Sequence, residues 1–253
     1  AVTGKVSAPG FEKVAGIVAQ NKGGSVQDCS FEGELTGKFM GGGIVAYNNS
    51  NSSIQRCFAD VVLTLTATEQ VSGKNSQQGN DGAMICAYPN TAYIQGNVAY
   101  GGSINYAYNQ PDAKTEGYYG RIIGCNDFGK TLRDNLANEA IVINGKTVSG
   151  TYTDPNGQNT PLEALQKQST YEELGWDFSY TWKMDETKKH PVLQYVDSST
   201  RPDRITVTFN GDGKTRKAFN WFTSTPVEQP VVKISETKDF DKTIVVNASQ
   251  KEL

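Results

Sequence analysis

The sequence is poor in the residues that most catalytic and metal-binding sites require. Its 253 residues include one histidine and four cysteines, and no two cysteines form a C-x-x-C pair. A single histidine cannot complete a Cys2His2 zinc site, and any dinuclear metal site or Ser-His-Asp triad would depend on it alone. We therefore predict that His190, which precedes Pro191, is a surface or cap residue rather than a ligand. We predict no catalytic, cofactor-binding or metal-binding residue and no cofactor.

Strong charge and long apolar runs are also missing. The net charge of −3 provides no basic surface for nucleic acid or an anionic membrane. No run of about 18 apolar residues occurs, so we predict no membrane span. The first ten residues, AVTGKVSAPG, lack the pattern of a signal peptide. We expect either a mature chain or an excised fragment.

Four related stretches are present in the first half of the chain. The two clearest are Ala15–Cys29 (AGIVAQNKGGSVQDC) and Gly42–Cys57 (GGIVAYNNSNSSIQRC), and weaker copies occupy Gly82–Val98 and Gly120–Leu136. Short strands with turns at a fixed period cannot close a core within one repeat, but stacked repeats can bury their apolar residues on one another. We predict an all-β chain that forms a parallel β-helix or β-solenoid of about four rungs.

The spacing of the repeats predicts two insertions. The step from Gly16 to Gly43 is 27 residues, and the next two steps, through Ala83 to Arg121, are 40 and 38. We expect the additional residues, 66–78 and 103–116, to be polar excursions on one edge of the stack, where solenoids often bind partners.

A group of tyrosines in and around the second insertion is the candidate binding surface. A tyrosine combines an apolar ring with a polar tip, so the group could stack against sugar rings or a protein partner. Alternatively, these side chains cover the long loops and the edge of the stack. The residues are Tyr100, Tyr106, Tyr108, Tyr118 and Tyr119.

Equivalent positions in the repeats predict two ladders. Asn21 and Asn48 match one another and Asn126, with Tyr88 at this position in the third copy, and stacked asparagines can hydrogen-bond along a solenoid. Cys29 and Cys57 also match. Neighbouring strands lie about 4.8 Å apart, at the short end of disulfide geometry. We therefore favour a buried ladder of free thiols, and a disulfide remains the alternative.

The carboxylates do not match across the repeats. Asp28 aligns with Arg56, Gly96 and Asp134, which leaves no pair on neighbouring rungs. Asp60 is interpreted as a turn residue. A polysaccharide-cleaving β-helix enzyme, which needs paired carboxylates, is therefore a weaker alternative.

The segment after the repeats predicts a cap. Thr160, Pro161 and Glu163 form a helix-start pattern, and the helix should run from residue 161 to about 168. The apolar set that follows includes Trp176, Phe178 and Trp182. We expect it to close the open end of the stack.

Two family resemblances extend this interpretation. The GGIVAYN-loop-I-x-x-C stretches resemble the GLUG-type repeats of bacterial surface proteins from Bacteroides-like organisms. GRIIGCND…NLANEAIVINGKTV and STYEELGWDF…WKMD…HPVLQ resemble the end of such repeat regions. This resemblance covers Val14 to Tyr195. It implies a right-handed β-helix-like fold, a cell-surface or exported location, and no assigned activity.

The C-terminal segment resembles a different family. RITVTFNGDGKTR…FNWFT, followed by VVKI, is similar to the N-terminal fibronectin-III-like domain of purple acid phosphatase-type metallophosphoesterases. We count four strands, whereas a complete sandwich needs about seven, so the module is predicted to be partial. The expected domains are a β-solenoid with its cap, residues 1–198, and a β-sandwich-like segment, residues 199–253.

These observations favour a non-catalytic, exported surface module for adhesion, glycan or protein binding, or spacing. The alternative is the accessory N-terminal region of a secreted metallophosphoesterase whose catalytic domain is not in this chain. The ligand, the mode of anchoring and the oligomeric state remain open.

Overall fold

The computed structural model describes residues 1–49, 51–69, 80–90, 92–108, 119–125, 131–194, 203–209, 217–223, 227, 230–235 and 243–249. The chain divides into two compact units, Ala1–Gln194 and Tyr195–Leu253. The boundary expected between residues 198 and 199 lies outside the described residues. Strands dominate both units, and the protein is all-β. Among the described helices, none has the length and apolar character needed to cross a membrane.

Each repeat contributes short strands separated by corners. A strand before the repeats is β1 (Val2–Ser7). The first repeat contains β2 (Lys13–Ala15), β3 (Val18–Lys22), β4 (Ser25–Gln27) and β5 (Ser30–Gly37). The second contains β6 (Met40–Gly42), β7 (Val45–Asn49), β8 (Ser53–Gln55) and β9 (Phe58–Leu65). The third contains β10 (Gly82–Ala83), β11 (Cys86–Pro89), β12 (Tyr93–Gln95) and β13 (Val98–Tyr106). The fourth contains β14 (Tyr119–Gly120), β15 (Thr131–Arg133) and β16 (Leu136–Asn138).

Equivalent strands of successive repeats pair in parallel and form four sheets. Sheet A has the order β1-β5-β9-β13-β16, sheet B the order β14-β10-β6-β2, sheet C the order β11-β7-β3, and sheet D the order β15-β12-β8-β4. The chain then adds β17 (Val142–Ile143), β18 (Lys146–Thr147) and β19 (Gln158–Thr160) to sheet A. Asn144 and Gly145, a residue pair typical of two-residue hairpin turns, join β17 to β18, and both have positive φ.

The register of the sheets places like residues on top of one another. In sheet D, Val26 pairs with Ile54, Ile54 with Ile94, and Ile94 with Leu132. These four side chains belong to the largest buried apolar cluster, together with inward-facing residues of sheet A such as Leu63. Each repeat therefore buries its apolar residues against the next repeat, because no single repeat has enough strands to enclose them.

A left-handed corner interrupts a segment that the sequence suggests is continuous. Strand character predicts one strand from Val26 to Phe31, but the structure ends β4 at Gln27 and begins β5 at Ser30. The corner residues of the four repeats all have φ between 49° and 64°, a conformation that costs an ordinary residue about 1–2 kcal/mol. They are Asp28, Arg56, Gly96 and Asp134, and the pairing of the strands beside them confirms this alignment.

In sheets B and C, the register of the third repeat differs by one residue from the sequence alignment. Pro89, not Tyr88, lies opposite Asn48, and Ala83 lies opposite Gly42. Asn21 donates a hydrogen bond from Nδ2 to Asn48 Oδ1 at 2.8 Å, which confirms the first step of that ladder. Proline has no side-chain amide and interrupts the ladder at the next repeat. Asn126 lies outside the described residues.

The cysteine ladder continues as an asparagine ladder. All four cysteines are free thiols. Ser30 and Phe58 pair directly after Cys29 and Cys57, so the predicted neighbour relationship is confirmed. In the third repeat Asn97 Oδ1 accepts a hydrogen bond from the Cys57 N–H at 3.0 Å, and Asn97 Nδ2 donates to Asn135 Oδ1 at 3.0 Å. Both asparagines are fully buried.

The segment predicted to close the end of the stack instead lies on its side. The lateral cover, residues 162–193, contains α1 (Leu162–Leu165), α2 (Gln168–Glu172), β20 (Trp182–Asp185) and β21 (His190–Leu193). Its aromatic rings pack with Phe58, Val98 and Leu136, which project from sheet A. Trp176 Nε1 donates to the Gly96 carbonyl at 2.8 Å. The apolar cluster was predicted correctly, but its position was not, because outward apolar residues of three successive repeats create a lateral face to cover.

The helix start in this segment also differs from the expectation. The helix predicted from residue 161 to about 168 ends earlier, since α1 stops at Leu165 and the separate helix α2 begins at Gln168. Pro161 occupies the N-cap position of α1, and no side chain caps that helix. The Thr160 hydroxyl instead donates to the Gln158 carbonyl at 3.0 Å, because Thr160 ends strand β19.

The described part of the second unit contains two antiparallel strand pairs. They are β22 (Asp203–Phe209) with β23 (Lys217–Phe222), and β24 (Val231–Ser235) with β25 (Thr243–Asn247). The sequence predicts these four strands closely. In the described part of this unit, no strand of one pair is hydrogen-bonded to a strand of the other.

Candidate functional site

Two of the five candidate tyrosines form a close stack. Strand β13 continues to Tyr106, although the sequence predicts that an excursion begins at Ser103. The Tyr106 and Tyr119 rings are parallel within 2°, with centroids 3.8 Å apart. Both are half-buried at the edge of the main core, and burial raises the pKa of Tyr119. The stack therefore joins the ends of the two strands that flank the second insertion.

The other three tyrosines are not all part of this stack. Tyr108 follows β13 and is partly exposed, and Tyr118 lies outside the described residues. Tyr100 is only 8% exposed and lies under the lateral cover. Its ring packs against Phe58, with centroids 5.2 Å apart. The candidate surface, among the described residues, is therefore limited to Tyr106, Tyr108 and Tyr119.

The structure brings two carboxylates together that the sequence alignment does not pair. Glu32 on β5 lies directly opposite Asp60 on β9. The sequence suggests that Asp60 is a turn residue, but Asp60 lies within strand β9. On its other side, Asp60 pairs with Gly101 across a β-bulge between Ala99 and Gly101. A Cβ atom at Gly101 would lie 2.7 Å from Asp60 Oδ1, so glycine provides the space for this carboxylate.

The β20–β21 hairpin of the lateral cover supplies two basic groups to this pair. Lys188 Nζ lies 2.7 Å and His190 Nε2 lies 3.6 Å from Glu32 Oε2. His190 is 4% exposed, and its ring stacks on Phe58 with centroids 4.8 Å apart. His190 does lie in the segment predicted to be the cap. Its side chain is buried and not on the surface.

This cluster of Glu32, Asp60, Lys188 and His190 is better suited to holding the hairpin than to hydrolysis. Burial raises the pKa of Asp60, and the charges of His190 and Lys188 oppose that rise. Glycoside hydrolysis requires both carboxylates to face the substrate, whereas Glu32 is engaged by Lys188 and His190. Among the described residues, no group of three or more His, Cys, Asp or Glu side chains could hold a metal ion.

A second polar contact connects the lateral cover to the left-handed corners. Arg56 donates from Nε and Nη2 to the two carboxylate oxygens of Asp28, at 2.9 and 2.8 Å. Trp182 Nε1 donates to Asp28 Oδ1 at 3.3 Å. The sequence alignment placed Asp28 next to Arg56, and an ion pair between neighbouring repeats could have been inferred from it. The contact with Trp182 could not, because 154 residues separate the two.

Comparisons with known proteins were made with family models, curated proteins and solved structures, and none of the three produced a match.

Proposed function

We propose that this chain is an exported, non-catalytic surface module, built as a parallel β-solenoid of about four rungs, that binds glycans. The observation that carries the proposal is the parallel, in-register pairing of equivalent strands in four sheets. Such stacking gives a rigid body with corners and insertions from which a binding surface can project. The GLUG-type resemblance supports the exported location.

The stacked Tyr106 and Tyr119 rings are the proposed centre of glycan binding. Their faces and edges are apolar, while each hydroxyl can hydrogen-bond, which is the combination that sugar rings require. Tyr108, two residues beyond the end of β13, extends this surface. Adhesion to a protein partner would use the same tyrosines, whereas a role as a spacer would need only the rigid body.

A glycan array probed with the purified chain tests the binding function. We expect retention on a subset of glycans, and loss of that retention in Tyr108→Ala, which changes a partly exposed side chain. Tyr180→Ala is the matched control, because Tyr180 is 56% exposed in the lateral cover. Absence of retention, or equal retention by all three proteins, would refute glycan binding by this surface.

Deletion of one complete repeat tests the solenoid. Removing residues 16–42 joins Ala15 to Gly43, and Ala15 pairs with Gly42 in sheet B, so the chain re-enters an equivalent position. We expect a soluble protein with a cooperative unfolding transition. Removing residues 16–29 instead joins Ala15 to Ser30, which do not occupy consecutive positions of the repeat, and should give an unfolded chain. Similar behaviour of the two deletions would contradict a solenoid.

The second candidate is an accessory region of a secreted metallophosphoesterase. It rests on the four strands of the second unit, which are compatible with the resemblance to the fibronectin-III-like domain of that family. The coding sequence downstream of Leu253 in the parent gene tests it. Clustered Asp, Asn and His codons at metal-ligand spacing would support this candidate, and an immediate stop codon would reject it.

A further inference from the structure

Cys29 and Cys57 occupy the same position in neighbouring repeats, directly before the paired strands β5 and β9. The Phe58 N–H donates to the Cys29 carbonyl at 2.9 Å, and Ser30 pairs with Phe58 directly after the two cysteines. Parallel strands are separated by about 4.8 Å. This spacing lies within the range of about 4.4–6.8 Å that disulfide Cα atoms span. No movement of one repeat past another is needed to join the two sulfur atoms.

The two sulfur atoms also point in the same direction from their strands. Cys29 Sγ lies 3.2 Å from the Gln27 carbonyl oxygen, and Cys57 Sγ lies 3.3 Å from the Gln55 carbonyl oxygen. Gln27 and Gln55 are themselves register partners. Cys57 Sγ is in addition 3.8 Å from the carbonyl oxygen of Val26 in the first repeat, so it leans toward Cys29.

We propose that Cys29 and Cys57 are a redox pair that forms a disulfide between the first two repeats when the protein meets a small disulfide such as glutathione disulfide. The Cys29 thiolate attacks one sulfur of glutathione disulfide, forms a mixed disulfide and releases one glutathione thiolate. Cys57 then gives up its proton and attacks Cys29 Sγ, which releases the second glutathione. The two protein thiols are oxidised by two electrons, and one glutathione disulfide is reduced to two thiols.

The environments of the two cysteines assign these roles. Cys29 is half-buried, and a hydrogen bond from Cys57 lowers the pKa of the Cys29 thiol to about 7. A thiolate at neutral pH that solvent can reach is the attacking species in disulfide exchange. Cys57 is fully buried, and burial raises the pKa of its thiol. Cys57 therefore acts second, on the mixed disulfide that Cys29 brings beside it.

The chain contains its own controls in Cys86 and Cys125. Both are buried, and burial raises the pKa of Cys86. The register partners of Cys86 are Val45 and Ile123, so no cysteine lies opposite it in sheet C. Both controls are therefore more buried than Cys29.

The experiment is exposure of the folded chain to glutathione disulfide at pH 7, followed by denaturation, alkylation and peptide mapping. We expect the number of alkylated cysteines to fall from four to two, with Cys29 and Cys57 in one linked peptide and Cys86 and Cys125 alkylated. Before oxidation, Cys29 should react with iodoacetamide at least about ten-fold faster than Cys86. A wild-type product that carries glutathione on Cys29 without the linked peptide would overturn the proposal, as would an unreactive Cys29.

Two variants separate the proposed roles. Cys57→Ser should stop the reaction at the Cys29 mixed disulfide, and Cys29→Ser should not react. Because Cys57 is fully buried, Cys57→Ala tests the same step without a buried hydroxyl. It also removes the hydrogen bond that lowers the pKa of the Cys29 thiol, so the mixed disulfide should form more slowly than in wild type but should accumulate. Circular dichroism establishes that each variant is folded. Equal formation of mixed disulfide by wild type and both Cys57 variants would show that Cys57 does not resolve it.

Discussion

Replacing Trp182 by alanine should destabilise the first unit by about 3–5 kcal/mol, the range found for removal of large buried aromatic side chains. The Trp182 side chain is completely buried. Its ring lies 4.3 Å from the Trp176 ring, centroid to centroid. A buried aromatic side chain removes about 150–250 Å² from water, and at about 25 cal/mol per Å² this corresponds to roughly 4–6 kcal/mol. The alanine that remains retains a small part of that burial.

The hydrogen bond from Trp182 to Asp28 adds little to this figure. Asp28 keeps both charge-assisted bonds from Arg56 in the variant, so its carboxylate is not left without a partner. The predicted loss therefore comes mainly from packing against sheet A. Trp182→Phe should lose only part of this stability, because phenylalanine preserves an apolar ring at that position.

Urea unfolding followed by far-UV circular dichroism measures the effect. The midpoint should fall in the order wild type, Trp182→Phe, Trp182→Ala, with little change in the slope. Tyr180→Ala is the matched control from the same cover, because its side chain is 56% exposed and should change stability by less than about 0.5 kcal/mol. If Trp182→Ala and Tyr180→Ala have the same midpoint, the lateral cover does not stabilise the repeats and the reasoning is wrong.

Three further substitutions test individual features of the fold. Asp60→Asn should reduce the pH dependence of stability. Burial raises the pKa of Asp60 above 3.8, so the folded state binds more protons than the unfolded state, and wild-type stability falls as pH rises through that raised pKa. Equal changes of the urea midpoint between about pH 4 and 7 in wild type and variant would contradict this. Asp134→Gly should stabilise by up to about 1 kcal/mol, because its φ of 53° favours glycine; a lower melting temperature would argue against strain at this corner. Asn97→Ala should lower the free energy of unfolding by more than about 2 kcal/mol, because the buried Cys57 N–H loses its acceptor and the Ile54 carbonyl loses its donor. A decrease of less than about 0.5 kcal/mol in urea unfolding would show that the asparagine ladder is dispensable.

The sequence was sufficient for the repeats that resemble each other most. Asp28 aligns with Arg56, and Cys29 with Cys57, because the first two copies share their apolar run and their loops differ by only one residue in length. Register was harder to predict in the third copy. Gly42 and Gly43 are two adjacent candidates for the match to Ala83, and only the strand pairing, with Tyr88 opposite Tyr47, distinguishes them.

The contacts of the lateral cover could not be predicted in the same way. The apolar content of Trp176, Phe178 and Trp182 indicates that the segment is buried, but it contains no information on which surface buries it. The cluster of Glu32, Asp60, Lys188 and His190 depends on that docking. It also depends on the bulge at β13, which brings Gly101 opposite Asp60.

The sequence by itself determined the local and periodic features of this protein: its strands, its turns at Asn144 and Gly145, and the positions that repeat. Such features depend on residues close together in the chain or on a period that can be counted. Only the tertiary structure decided that Lys188 and His190 reach Glu32 and that Trp182 reaches Asp28. These contacts join residues about 150 positions apart, and they form because the outward apolar face of sheet A, assembled from several repeats, binds the segment that carries them.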